Sequence, residues 1–530
     1  MLFTSYEFLA FLAAVFLLYY ILPKKCQWIV LLISSYAFYA LAGIEYLAFI
    51  AVTTISSFIA TRLMERVTKG EKKYLAEHGD SLDKDAKKAY KGKCKKRRFY
   101  ILCGALTLNF GVLAVLKYTA FAVVNINSFL HNFGVESSLS IPSLILPLGI
   151  SFYTFQTMGY LIDVYRAKVE AEKNIFRLAL FVSFFPQLIQ GPISRFGDLA
   201  PQLTSHHSFE RKNLTYGLQR ILWGYFKKLV IADRVLIAIN TMIDSPESFK
   251  GAYVFLLIIL YSIQIYADFT GGIDITIGIA EVLGIRLTEN FKRPFSSKST
   301  KEYWNRWHIT MGSWFTDYVF YPLSVSRPML WVSKKSRKWF GKNIGKRIPV
   351  YLATIVTWFL TGVWHGAGWN FIVWGLLNCL VILVSQELEP LYSRFERRFP
   401  RLHASSGYSA FMSIRTFLLM GLIRSLDCYR DVPLTFKMWG SMFTTFNFGE
   451  LFGTGISALG LSLVDYVIIG CGCIVIFAVS RAGRETSVRD RIYDKTVLSW
   501  CLVGVLLVAT IMFGAYSVGY DASQFIYNQF

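Results

Sequence analysis

The chain has 530 residues, of which 54% are hydrophobic, and its mean hydropathy is +0.42. This balance is more apolar than that of a soluble domain, so we expect a protein embedded in lipid. The net charge of +22 does not indicate nucleic-acid binding, because the Lys and Arg residues lie in short connectors between apolar runs, without zinc-finger spacing or interleaved aromatics. That distribution is typical of cytoplasmic loops, and the expected partner of these charges is the lipid bilayer, through its anionic headgroups.

The first apolar run, residues 8–22, predicts a retained membrane span. Lys24 and Lys25 follow it, which reverses the charge order of a cleavable signal peptide, so we expect the N-terminus outside. Runs that end at residue 42 and that cover residues 46–60 predict two more spans. They would return the segment 62–98 to the inner side, where we interpret it as a basic cytoplasmic loop, either solvated or folded as a surface helix.

Nine further apolar runs predict spans, and two interrupted runs predict broken or re-entrant helices. The interrupted runs, 178–193 and 270–287, contain Gly and polar residues, which survive at membrane depth only when buried in protein or lining a wet cavity. We expect an all-α, polytopic bundle of about 11 to 13 spans. It would form a single membrane-embedded domain over residues 1–530, with C-terminal helices in 408–530. The nine runs are 99–116, 144–165, 216–239, 254–266, 348–363, 369–384, 411–426, 464–479 and 497–513.

The first candidate site surrounds His308, in a stretch dense in polar and aromatic side chains. If this stretch is helical, Trp304, Trp307 and His308 share one face by their three- and four-residue spacing. Glu302 and Arg306 would form an i,i+4 ion pair on another face. The pattern therefore predicts that His308 points into an aromatic pocket.

The second candidate site is His365, at the junction of two apolar spans in the motif TGVWHGAGWN (361–370). The flanking glycines would let a substrate or another backbone approach closely. An ionisable group at membrane depth is costly, so an intramembrane histidine is a functional candidate by default. The alternative for either histidine is a neutral ring whose hydrogen bond a helix carbonyl satisfies. Both histidines fall in the region 290–385.

No known nucleophile or metal pattern accompanies these histidines. The sequence contains no H-E-x-x-H, no G-x-S-x-G and no complete phosphate-binding loop. Two histidines without nearby carboxylates or thiolates make a weak metal site, and the eight cysteines are scattered without redox-motif spacing. We therefore expect neither a metal nor a bound cofactor.

Seven motifs carry a resemblance that covers most of the chain. They are PLGISFYTFQ (147–156), IDVYR (162–166), FFPQLIQGPI (184–193), IYADF (265–269), RWHI (306–309), WHGA (364–367) and FIYNQF (525–530). Together they make the chain similar to the membrane-bound O-acyltransferases, and specifically to the branch that O-acetylates alginate. Two departures are modest: Asn305 stands where an arginine is common, and Met311-Gly312-Ser313 replaces the more usual Ser-Leu-Ser.

The resemblance implies that His365 is the family's essential histidine and that His308 occupies the position of a second polar residue. It also implies a helical bundle around a central funnel in the bacterial cytoplasmic membrane. In such a funnel a neutral His365 can take the proton of an acceptor hydroxyl as it attacks a thioester carbonyl. The residues expected to bind substrate are Trp304, Asn305, Trp307, Trp364 and Gly366.

The implied reaction moves an acetyl or similar small acyl group towards an extracytoplasmic polysaccharide. The donor would be a cytoplasmic thioester, either acetyl-CoA or an acylated carrier protein, and a secreted or membrane-anchored acyltransferase would be the partner. One alternative, from the same family, is D-alanyl transfer to teichoic acids from a carrier-protein thioester. Another is a transporter of polysaccharides or lipid-linked sugars, although no paired internal repeats are evident in the sequence.

Overall fold

The computed structural model describes residues 3–135, 138–453 and 455–516. Within these ranges the chain is helical and contains no β-strand, which confirms the predicted all-α class. The motif at 525–530 lies outside the described residues. In the described part, eight helices are long and apolar enough to cross a membrane. They are Tyr46–Ser81, Lys84–Asn132, Ala252–Val282, Ile348–His365, Trp369–Glu387, Ser406–Tyr429, Leu463–Ala482 and Thr496–Phe513.

The chain divides into two compact units. The first comprises residues 1–213 and 280–287, and the second comprises residues 214–279 and 288–530. The description of residues 1–530 as one domain stays a prediction. The α-helices of the first unit are Tyr6–Ile21, Gln27–Ala40, Tyr46–His78, Lys84–Asn132, Ile150–Tyr165, Ile175–Ser183, Phe185–Leu188 and Phe196–Thr204, with 3₁₀ turns at Lys24–Cys26 and Gly79–Ser81.

A long helical hairpin dominates the first unit. Its arms are Tyr46–His78 and Lys84–Asn132, so the basic segment 62–98 is helical on both sides of a short turn, which agrees with the surface-helix alternative, and its cytoplasmic position stays a prediction. The helices continue past the apolar residues because this segment is rich in Lys, Glu, Ala and Arg, which are good helix formers. The rings of Tyr74 and Tyr90 stack across the hairpin with centroids 4.1 Å apart.

The predicted interruption of the run 178–193 is confirmed. Helix Ile175–Ser183 ends at Phe184, which leaves the helical conformation with φ −49° and ψ 104°, and a single turn, Phe185–Leu188, follows. Gly149 accommodates this turn, because its φ is +71° and a Cβ there would lie 2.0 Å from the Leu188 carbonyl oxygen. The irregular backbone is buried in protein, as non-helical backbone at membrane depth must be.

The second unit contains the longer run of helices and both candidate histidines. Two π-helical turns, Phe226–Ala232 and Thr316–Phe320, join neighbouring α-helices into longer bent ones. The α-helices are Arg211–Tyr225, Asp233–Asp244, Ala252–Val282, Thr300–Trp304, Ile309–Phe315, Tyr321–Ser324, Arg327–Gly345, Ile348–His365, Trp369–Glu387, Glu389–Arg398, Pro400–His403, Ser406–Tyr429, Val432–Thr444, Phe448–Phe452, Leu463–Ala482, Val488–Ile492 and Thr496–Phe513, and the 3₁₀ turns are Pro294–Ser296 and Ser457–Leu459.

The prediction of a broken helix over 270–287 is wrong. Helix Ala252–Val282 runs without interruption through its glycines. A Cβ on Gly271 would lie 2.9 Å from the Gly224 carbonyl oxygen, so this glycine lets two helices approach closely. Small residues have this role at helix–helix contacts in membranes, and a polar residue among them need not mark a break.

The eight long apolar helices are fewer than the predicted spans for two local reasons. The run 144–165 becomes a helix only at Ile150, which leaves 16 helical residues. The run 216–239 contains a π-helical turn with two buried lysines, Lys227 and Lys228. The shorter apolar helix Tyr6–Ile21 accounts for the predicted span 8–22, and Ile175–Gln190 covers most of the interrupted run 178–193.

Candidate active site

His365 is the last residue of a membrane-spanning helix. Helix Ile348–His365 ends there because Gly366 adopts an extended conformation, with φ −171° and ψ 162°. Three residues, 366–368, separate it from the next span, Trp369–Glu387. His365 therefore lies at the end of one span, directly before the short connection to the next.

Glycines hold these two spans together. A Cβ on Gly362 would lie 2.4 Å from the Phe371 carbonyl oxygen, and a Cβ on Gly366 would lie 2.1 Å from the Phe371 ring. The close approach that these glycines predict is thus made by the neighbouring helix. Contact between Gly366 and a substrate stays a prediction.

Two tryptophans form the walls around His365. The imidazole lies 4.9 Å from the Trp364 ring and 4.6 Å from the Trp374 ring, between centroids, and meets the Trp374 ring at 71°. His365 is partly exposed, whereas Trp364 and Trp374 are buried. The ring is therefore held by apolar surfaces, and its Nε2 atom is buried although the residue as a whole is partly exposed.

His308 has a different environment, because its side chain is completely buried. The expected continuous helix is wrong: helix Thr300–Trp304 ends before His308, and helix Ile309–Phe315 begins after it. His308 itself has φ 47° and ψ 52°, a left-handed conformation that is uncommon for a residue with a Cβ. Such strain persists only where the surroundings hold the residue in place, and it is frequent at functional sites.

Asn290 provides that support. The backbone N–H of Ile309 donates to the Asn290 carbonyl oxygen (3.0 Å). The Asn290 Oδ1 atom accepts from the Thr310 backbone N–H (3.1 Å) and hydroxyl (2.9 Å) and lies 3.3 Å from His308 Nδ1. Because these donors identify the amide oxygen as an acceptor, Nδ1 of His308 carries the proton in this contact and Nε2 is left as the acceptor.

Burial keeps the His308 imidazole neutral. Loss of hydration, with a smaller contribution from the Arg424 cation, lowers the pKa of His308 to about 3. The ring therefore has the same charge state throughout the physiological pH range. It can orient a bound group by accepting a hydrogen bond from it, but it does not act as a cation.

Trp364 connects the two histidines. Its ring lies 5.9 Å from the His308 ring and 4.9 Å from the His365 ring, between centroids. The structure thus brings His308, Trp364 and His365 into one contiguous group, although His308 lies more than fifty residues before the other two in sequence.

The other predicted substrate-binding residues are divided between the site and the surface. Trp304 packs against Trp374 with centroids 5.7 Å apart, and Trp307 is buried and stacked on Tyr303 at 5.6 Å. Asn305 is exposed, and its side chain forms no hydrogen bond in the described part of the chain. A substrate contact for Asn305 stays a prediction that no neighbouring polar group supports.

The predicted ion pair near this segment is present. Glu302 and Arg306 approach to 2.6 Å with their side chains partly exposed. It holds the turn that follows helix Thr300–Trp304, beside the buried histidine. An exposed pair of this kind contributes about 0 to 1 kcal/mol, so it is secondary to the Asn290 contacts in positioning the segment.

Comparison with known proteins matches this part of the chain to a family. Residues 172–428, which include both histidines, match the model of the membrane-bound O-acyltransferase family. The chain is 30% identical over 428 residues to the peptidoglycan O-acetyltransferase of Helicobacter pylori, a match that covers 74% of this chain and 72% of the relative. The chain belongs to the membrane-bound O-acyltransferase family. This membership confirms the predicted family and, with the apolar helices, a multi-pass membrane protein.

Further relatives fall in two branches of the family. The chain is 34% identical over 378 residues to the probable alginate O-acetylase of Azotobacter vinelandii, which covers 71% of this chain and 66% of the relative. It is 31% identical over 246 residues to the teichoic acid D-alanyltransferase of Bacillus subtilis, which covers 45% of this chain and 59% of that protein. The match therefore spans just under two thirds of the A. vinelandii protein's own length.

Two residues of the site in this family member were missed from the sequence. Asn290 precedes His308 by 18 positions, outside any local motif, and no sequence signal connects the two. Arg424 places its guanidinium 4.8 Å from the Trp307 ring and 5.6 Å from the Trp374 ring. Its signal was available, since it is a cation inside the apolar run 411–426.

A second buried polar group in the same unit was also missed. The Lys228 Nζ atom lies 2.5 Å from Asp268 and 2.7 Å from Asp233, and all three side chains are buried. Beside it, Lys227 lies 2.5 Å from Asp274, which also pairs with Arg220 at 2.9 Å. In each pair the positive and negative side chains neutralise each other, and each pair joins two segments of the chain. Within the described ranges, no group of three His, Cys, Asp or Glu side chains could hold a metal.

Proposed function

We propose that the chain is an O-acyltransferase whose general base is His365. The observation that carries the proposal is the setting of this histidine: a partly exposed imidazole at the end of a span, held between Trp364 and Trp374, inside the segment that matches the family. The aromatic walls hold the ring in one orientation, and the neutral form of an imidazole is the one that accepts a proton. A base needs that form and access to the acceptor at the same time.

The chemical step is acyl transfer from a thioester to a hydroxyl. The hydroxyl oxygen of the acceptor forms a bond to the carbonyl carbon while the His365 imidazole takes the hydroxyl proton. The tetrahedral oxyanion then collapses, the carbon–sulfur bond breaks, and the departing thiolate receives the proton from the imidazolium. The products are an acyl ester of the acceptor and a free thiol, and His365 returns to its neutral state.

His308 would act beside this step as a positioning residue. Its neutral ring presents Nε2 as an acceptor, because Nδ1 is committed to Asn290. An acceptor hydroxyl or a bound water is the kind of donor that fits such a nitrogen. The full burial of His308 makes it less suitable than His365 as the group that shuttles the proton.

The donor and acceptor that we propose are a cytoplasmic acyl thioester and an extracytoplasmic polysaccharide. Support for acetyl transfer to an envelope polymer comes from the relatives named as alginate and peptidoglycan O-acetylating enzymes. The donor would be acetyl-CoA or an acylated carrier protein, and a secreted or membrane-anchored acyltransferase would pass the group on outside. We further propose the bacterial cytoplasmic membrane as its location, with the N-terminus outside.

The second candidate function is D-alanyl transfer to teichoic acids. It is favoured by the similarity to the B. subtilis D-alanyltransferase, which covers less than half of this chain. The greater coverage by O-acetylating relatives places acetyl transfer first. Membership of an acyltransferase family favours both of these over the transporter hypothesis.

Chemical analysis of the envelope polymer tests the proposal and separates the two candidates. Polymer would be purified from the cell that makes this protein, in three forms that carry wild-type protein, His365→Ala or His403→Ala, and mild alkali would release its ester-linked groups. We expect acetate from the wild type and the His403→Ala control, and at least a ten-fold loss in His365→Ala. Release of D-alanine in the same pattern would support the second candidate. Equal release from all three strains would contradict both.

A further inference from the structure

A small cavity is lined in part by Arg424, whose guanidinium also contacts the Trp374 ring of the site. Three polar side chains border it: Ser262, Tyr303 and Arg424. The rest of its boundary is apolar and includes Phe295, Phe417 and Met420. All of these residues belong to the second unit. The cavity therefore has a polar end and an apolar end.

Arg424 is an unusual residue for such a place. Only 7% of the residue is exposed, and it belongs to the membrane-spanning helix Ser406–Tyr429. No carboxylate lies within 4.0 Å of its guanidinium in the described part of the chain. Asp427, one turn further on, instead accepts a hydrogen bond of 3.0 Å from Tyr261. The Asp427 carboxylate is close enough to interact electrostatically with Arg424 but does not form a direct ion pair with it. A buried cation of this kind is costly, and inside a membrane it marks a functional site by default.

The aromatic neighbours of Arg424 connect it to the proposed base. The guanidinium lies 4.8 Å from the Trp307 ring and 5.6 Å from the Trp374 ring. The Trp374 ring is the one that packs against His365, with 4.6 Å between centroids. These cation–π contacts offset part of the cost of burying the charge, and they hold the planar group in a fixed orientation.

We propose that this cavity binds the acyl group of the thioester donor and that Arg424 is a substrate-binding residue. The inference rests on the proposed acyltransferase function and adds to it the subsite for the transferred group. Arg424 donates to the carbonyl oxygen, and the methyl end of the acyl group packs against the apolar side chains. Interaction with a buried guanidinium strengthens as negative charge develops on that oxygen in the transition state.

The size of the cavity assigns the class of acyl group. The space between the side chains is small, with room for about one water molecule before any side chain moves. An acetyl group fits after a modest shift of Met420, whose flexible thioether side chain can change rotamer. Longer acyl chains meet the rings of Phe295 and Phe417. The subsite therefore selects short acyl groups.

Acetate is a suitable probe, because it has the shape of the acyl group and carries a negative oxygen. Purified full-length protein in detergent would be titrated with sodium acetate, with sodium gluconate to hold the ionic strength, and thermal unfolding would be followed by tryptophan fluorescence. We expect acetate to raise the unfolding midpoint of the wild type and of Arg415→Gln, a control on the same helix. Arg424→Gln should lose this shift completely. A wild type that does not respond to acetate, or an Arg424→Gln protein that does, would overturn the proposal.

Two further variants separate the subsite from the function and from misfolding. His365→Ala should keep the acetate-induced rise in the unfolding midpoint while losing acyl transfer. If this variant still transferred the acyl group, His365 would not be the general base, but the proposed acyl subsite would be unaffected. Met420→Ala keeps Arg424 and widens the apolar end, so butyrate should become as effective as acetate. If Met420→Ala keeps the wild-type preference for acetate, the cavity does not select acyl groups by their size. This test does not depend on whether Arg424→Gln folds.

Discussion

The imidazole of His365 lies against the indole of Trp374, with ring centroids 4.6 Å apart and ring planes at 71°. This edge-to-face contact fixes the imidazole plane through the ring face and edge and does not occupy a ring nitrogen. Trp374 itself is buried and is packed by Trp304. The orientation of the proposed base therefore depends on an aromatic wall that belongs to the next helix.

We expect Trp374→Leu to lower the turnover number about ten-fold, equivalent to about 1.4 kcal/mol of transition-state stabilisation. The physical reason is loss of the fixed imidazole orientation, so KM should change much less than kcat. Trp374→Phe, which keeps an aromatic wall, should retain most of the activity. Trp339→Leu is the control, because Trp339 is 67% exposed. A rise in KM with kcat unchanged would argue against this role.

Acid stability should depend on His308. In the unfolded chain this histidine takes up a proton near pH 6.5, whereas in the native protein its pKa is about 3. The unfolded state thus binds more protons between these values, and native stability falls as the pH drops below 6.5, by up to about 1.4 kcal/mol per pH unit. Above pH 7 the effect is absent.

The matched variant is His308→Asn, because Asn tolerates the left-handed backbone conformation that His308 adopts. We expect the unfolding midpoint of His308→Asn to fall less steeply than that of the wild type between pH 6.5 and pH 4. The two curves should run parallel above pH 7. Parallel curves over the whole range would mean that His308 is not held neutral by burial.

The two glycines at the helix junction should respond differently to the same substitution. Gly366→Ala places a methyl against the Phe371 ring, and Gly362→Ala places one against the Phe371 carbonyl oxygen. Each should cost about 1 to 3 kcal/mol of stability. In a Phe371→Leu background the cost of Gly366→Ala should largely vanish, whereas that of Gly362→Ala should remain. Thermal unfolding of the single and double variants measures this coupling, and equal rescue of both would contradict the packing described.

The buried ion pairs should be essential for stability. We expect Lys228→Met to destabilise the protein by about 3 to 5 kcal/mol, because it leaves Asp268 and Asp233 buried beside an uncharged side chain. Lys212→Met, at an exposed position of a neighbouring helix, should change stability by less than about 0.5 kcal/mol. Unfolding in detergent compares the two variants directly. Similar midpoints would show that the pairs contribute little.

Much of this architecture follows from hydrophobic runs alone. The predicted spans 348–363 and 369–384 correspond to Ile348–His365 and Trp369–Glu387, because uninterrupted apolar runs of that length have one stable structure in lipid. The same reasoning located His365 at their junction. The wrong prediction of a broken helix over 270–287 has a clear cause. A glycine that breaks a helix and a glycine that packs one helix against another look the same in sequence. Only the contact with Gly224 in the structure distinguishes the two cases.

The details of the site required the tertiary structure. The left-handed conformation of His308 depends on Asn290, and the contact of Arg424 with Trp307 and Trp374 joins segments at least fifty residues apart. No local periodicity encodes such contacts. A lone cation in an apolar run was nonetheless a usable signal for Arg424, since burying a charge in lipid is rarely neutral.

The most direct test of the account is the rate of acyl transfer by His365→Ala. Membrane vesicles from the cell that makes the protein would receive a labelled acetyl thioester, and ester-linked label in polysaccharide would be measured at equal amounts of inserted protein. Loss of a positioned base typically lowers a rate by about 10²- to 10⁴-fold, and we expect a decrease in that range, with His403→Ala unchanged. Transfer by His365→Ala within about two-fold of the wild-type rate, well inside the effect of losing a base, would contradict the central role of this histidine.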